Sequence, residues 1–62
     1  MPEEDELLYR RRILGTAVTE ITAVAREVRL AGGDPRPYLE EALRVAQKLW
    51  KIQKQIEKYD LD

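Results

Sequence analysis

The sequence predicts an all-α protein, an antiparallel two-helix hairpin that assembles into a homo-oligomeric helical bundle, with four helices where two copies meet. Three observations predict it. Apolar residues recur at spacings of three and four along two long stretches, and no segment alternates with the period of a strand. One break, Gly32-Gly33-Asp34-Pro35, separates the stretches. Each stretch also carries a broader apolar face than one neighbouring helix covers.

The 62 residues read as one helical-hairpin domain, with a first helix over about 3–31, a loop over 32–34 and a second helix over about 35–59. Pro2 suits a first helical position, where its missing N–H is no loss, and Glu3, Glu4, Asp5 and Glu6 set negative charge at the positive end of the helix dipole. Gly32 or Gly33 supplies the left-handed residue that closes a helix C-terminus, with Arg26 and Arg29 favourably placed in the last turns. Asp34 is the expected cap of the second helix and Pro35 its first residue, followed by Pro37, Glu40 and Glu41.

In the second helix Tyr38, Ala42, Val45, Leu49, Ile52, Ile56 and Tyr59 follow at alternating spacings of four and three, a heptad seam about three heptads long. Leu39, Leu43, Ala46 and Trp50 form a second stripe beside it. In the first helix Leu7, Leu14, Ile21 and Val28 recur every seven residues, flanked by Ala17 and Val24 on one side and by Val18 and Ala25 on the other. All of these residues except Ala25, Tyr38 and Tyr59 make up the expected core and oligomer interface. Both helices need at least two neighbours.

Size points the same way, because a chain this short is marginal without disulfides, a metal or oligomerisation. The sequence has no cysteine and no histidine, which leaves oligomerisation. The expected partner is another copy of the chain, a dimer first and a trimer or tetramer next. Eleven Lys and Arg against twelve Asp and Glu lack the basic surplus of a nucleic-acid binder. No apolar run is long enough for a membrane span, and the acidic opening is unlike a signal peptide, so a soluble, cytoplasmic product is expected.

Nothing in the chain adds up to a catalytic or cofactor constellation; neither enzymatic activity nor a cofactor is expected. Arg10-Arg11-Arg12 is the most tempting motif, but consecutive helical residues point about 100° apart, and Glu6 sits one turn before Arg10. A solvated, salt-bridged rim is the expectation. Glu20 and Glu27 do not complete a di-metal motif without histidine. Tyr9, Tyr38, Tyr59 and Trp50 read as core-rim residues, and Gln53, in line with Ala46 and Trp50, is either a buried polar residue that fixes register or faces solvent. The strip Gly15, Thr19 and Ala23, with Thr16 and Thr22, either admits a close neighbour or is an exposed face. Folding back at the glycines sets Glu3 to Glu6 beside Lys51, Lys54 and Lys58, and Arg26 and Arg29 beside Glu40 and Glu41, a pattern that selects the antiparallel hairpin.

Two similar helices, one tight loop and apolar heptads make the chain resemble the hairpin subunits of ROP-like dimeric four-helix bundles over nearly its whole length. The residues that RNA binding by that family requires have no counterpart here. The Gly-Gly-Asp-Pro connection, the proline and acidic residues opening each helix, and the absence of Cys, His and Phe also resemble de novo designed proteins. That resemblance implies structural self-assembly as the function. The alternatives are a module presenting an apolar face to a foreign partner, and a bundle with a small-ligand cavity.

Overall fold

The computed structural model describes residues 2–60, with side chains for 3–59; residues 1, 61 and 62 of the expected domain lie outside the described residues. Two helices pack against each other as a hairpin, α1 (Pro2–Leu30) and α2 (Arg36–Asp60). The boundaries agree with the sequence to within a residue, the usual latitude at helix ends.

The turn explains both glycines. The Gly33 amide donates to the Val28 carbonyl at 2.8 Å and the Gly32 amide to the Arg29 carbonyl at 3.1 Å, the paired bonds that close a helix around a left-handed residue. Gly32 is that residue, with φ of 86°, a conformation in which a side chain would be strained. Gly33 is needed for space: a Cβ there would lie 2.8 Å from Val28 Cγ1 and 3.2 Å from the Val28 carbonyl oxygen.

Asp34 caps α2 as expected, its Oδ1 accepting from the Arg36 amide at 3.0 Å. The Pro35 carbonyl accepts from Leu39 at 3.0 Å, so Pro35 stands just outside the helix and Arg36 takes the first position. Glu40 and Glu41 therefore fall beyond the first turn, which has no acidic residue, and Asp34 alone supplies negative charge at the helix start. Arg36 grips the same carboxylate at 2.9 to 3.1 Å, which holds Asp34 below the usual carboxylate range.

Among the described residues only Ala25, Ala42 and Ile56 are buried. Leu7, Leu14, Ala17, Val18, Ile21, Val28, Val45, Ala46, Leu49 and Ile52 are half-buried around them, so the core is a single contact line wide. The hairpin measures 49 × 14 × 12 Å, with a radius of gyration of 14.5 Å against about 10.6 Å for a compact domain of this length. It exposes 5148 Å², whereas a compact protein of 7.3 kDa exposes about 4,200 Å².

Candidate interaction surface

The expected core residues divide into two groups. Twelve lie on or beside the line between the helices: Ala42 and Ile56 buried, and the ten half-buried residues named above. The other four, Val24, Leu39, Leu43 and Trp50, are exposed, at 41%, 48%, 61% and 59%. Helical phase separates them: a hairpin buries one line per helix, and these residues sit a quarter-turn or more off it. Lys54 lies over the Trp50 ring at 4.2 Å from its centroid and still leaves most of the indole uncovered. Tyr9, Ile13 and Leu30 add exposure on α1, at 64%, 48% and 77%. Ala25, read from sequence only as a flanking residue, is the most buried of the described residues at 2%.

Leu39, Leu43 and Trp50 lie on one face of the hairpin, and Ile13 and Val24 on the opposite one. On one, an open groove of about 340 Å³ brings Leu39 together with Thr22, Arg26 and Arg29, and the 39, 43, 46, 50 phase carries Leu43 and Trp50 along the same side. On the other, a groove of about 410 Å³ brings Ile13 together with Lys48 and Lys51, and the 13, 17, 20, 24 phase carries Ala17 and Val24 along that side. Both grooves are open surface depressions.

Polar side chains tie the two helices at their open end. Arg11 donates to Gln53 Oε1 at 3.3 Å, which gives the carbonyl of a half-buried side chain a partner across the helices. The Tyr59 hydroxyl donates to Glu3 Oε2 at 3.0 Å, and that bond to a carboxylate pushes the Tyr59 pKa up. The expected ion pairs between helices are not formed among the described residues. Instead Arg10 pairs with Glu6 at 2.7 Å, Arg44 with Glu41 at 2.8 Å and Arg36 with Asp34 at 2.9 Å, all local in sequence and exposed. Side chains one turn apart find each other at less entropic cost than side chains on separate helices.

The Arg10-Arg11-Arg12 run does not converge on one point: Arg10 turns to Glu6 and Arg11 to Gln53. Glu20 and Glu27 are exposed, and no cluster of three metal-ligating side chains occurs among the described residues. Thr16, Thr19 and Thr22 each donate their hydroxyl to the carbonyl four residues back, at 3.0, 3.0 and 2.7 Å. Their donors are thus satisfied within α1. Nothing lies within 4 Å of a Cβ placed on Gly15, so within the hairpin that strip is open.

No helix of the described residues is long and apolar enough to cross a membrane. Compared with protein families, with characterised proteins and with solved structures, the chain matches none of them.

Proposed function

We propose that the chain is a structural subunit whose function is to assemble with copies of itself into a helical bundle, without catalytic activity. The observation that carries this reading is the exposure of Leu39, Leu43 and Trp50 on one face and of Ile13 and Val24 on the other. Large apolar side chains grouped in stripes mark interaction surfaces, whereas scattered ones do not. The surplus surface of the hairpin is of the right size. A compact body of twice 7.3 kDa exposes about 6,900 Å², so two hairpins of 5148 Å² each reach it by burying about 3,400 Å² between them. That lies within the range of obligate interfaces.

The resemblance to designed hairpins supports the same reading. Capping by Asp34, the glycine-closed turn and local ion pairs specify a rigid unit, and none of them depends on a ligand. Light scattering behind size exclusion tests it, together with melts over a hundredfold range of concentration. Assembly predicts a mass above 7.3 kDa and a melting temperature that rises with concentration. A helical 7.3 kDa species with a concentration-independent melt overturns it.

A further inference from the structure

We infer that copies of the chain dock face to opposite face, the α2 stripe of one hairpin on the α1 stripe of the next, so that the assembly contains three or more copies. This rests on the self-assembly proposed above. It goes beyond it by naming the two surfaces and how they meet.

The first support is that the stripes are on opposite sides at equal heights. Arg11 is level with Gln53 and Glu3 with Tyr59, so heights on the two helices correspond where residue numbers sum to about 62 to 64. Trp50 is then level with Ile13, and Leu43 lies between Ala17 and Val24. A neighbour pointing the same way meets stripe with stripe in register. A closed two-fold dimer, by contrast, covers one face of each copy and leaves the other stripe in water.

Charge is the second. At the turn end Arg26 and Arg29 border the α2 stripe, while Glu27 borders the α1 stripe at the same height and Glu20 borders it about 9 Å further from the turn. Among the described residues none of the four is in an ion pair within the hairpin. At the turn end opposite-face docking sets the arginines against the glutamates, while at the open end it brings Lys54, beside Trp50, toward Lys48 and Lys51 of the next copy. A two-fold pairing of the α2 stripe with itself, centred near Leu43, sets Arg29 against Arg11 instead, and like charges across an interface suppress that arrangement.

Such a head-to-tail contact uses two different patches on every copy, and it closes as a ring or continues as a filament according to the rotation it imposes. Two single-face variants read it out. Leu43→Glu blocks the α2 face and Ile13→Glu the α1 face, both at positions exposed in the hairpin. By light scattering the unmodified chain should show at least three times 7.3 kDa, each variant alone 7.3 kDa, and their equimolar mixture a 1:1 pair, since each variant supplies the face the other lacks.

Two copies in the unmodified chain, or variants that remain dimers and ignore each other on mixing, overturn face-to-opposite-face docking while leaving self-assembly intact. A monomeric unmodified chain overturns both. Should a variant lose its helicity, thiol cross-linking in the cysteine-free background decides. Leu43→Cys combined with Val24→Cys should give a covalent ladder beyond two copies with a short bis-thiol reagent. Covalent dimers from Leu43→Cys alone overturn the inference.

Discussion

Gly33→Ala adds one methyl group at the tightest point of the turn. The new Cβ would stand 2.8 Å from Val28 Cγ1 and 3.2 Å from the Val28 carbonyl oxygen. Neither neighbour moves freely. The oxygen is held by the 2.8 Å bond it accepts from the Gly33 amide, and a helical valine has one strongly preferred rotamer. Overpacking of this kind costs about 1–3 kcal/mol. Loss of glycine's freedom in the unfolded chain returns about 0.4–1 kcal/mol. Central values leave a net loss of about 1.3 kcal/mol, or a melting temperature lower by roughly 5–10 °C for a chain of this size. Far-UV circular dichroism melts at matched protein concentration measure it. A melting temperature unchanged or raised by Gly33→Ala refutes the reasoning, because it means that the turn opens at no cost and does not hold the helices as described.

Ile56→Ala, at a position only 3% exposed, should cost about 2–5 kcal/mol in chemical denaturation; a loss below about 0.5 kcal/mol would remove Ile56 from the core. Gly15→Ala should raise stability by up to about 1 kcal/mol, since an added Cβ meets open space and a mid-helix glycine is entropically costly; a lowered melting temperature would place another chain against it. Asp34→Asn keeps the cap's acceptor and removes its charge. Because the Arg36 contacts depress the Asp34 pKa in the folded chain, the charge contributes stability above the unfolded carboxylate pKa of about 3.9, and that contribution is lost as pH falls through the lower folded value. The unmodified chain should therefore lose melting temperature relative to Asp34→Asn below about pH 4, and melts of both proteins in parallel from pH 7 to pH 2 check the sign.

The hairpin was legible because its signals are local. Heptad spacing, the Gly-Gly break and Asp34 before Pro35 each act within a turn or two of chain, and all three are realised as helix, closing turn and cap. Which part of each broad stripe enters the contact was not legible in the same way. Leu39 and Ala42 differ by less than one turn, yet one is exposed and the other buried, because the angle at which the turn delivers α2 onto α1 decides between them. Ala25 is the counterpart on α1, where a small side chain occupies the centre of the line and Val24 beside it faces out. Charge placement likewise suggested pairs between helices, and local partners such as Glu41 for Arg44 captured them first. Tyr59 and Glu3 are 56 residues apart, and only the register of the finished hairpin brings them together.

That register also orders the formation of the fold in time. Every contact between α1 and α2 encloses the turn, and the enclosed length grows steadily from the turn-proximal Ala25 and Ala42, through Arg11 and Gln53 at 42 residues, to Glu3 and Tyr59 at 56. Loop-closure entropy rises with that length, so the pairings nearest the capped turn form first and each shortens the search for the next. The two helices are then expected to close like a zip from the glycines outward. Amide protection against hydrogen exchange then falls along both helices toward the end where Tyr59 meets Glu3, and the chain reopens from its termini long before its turn.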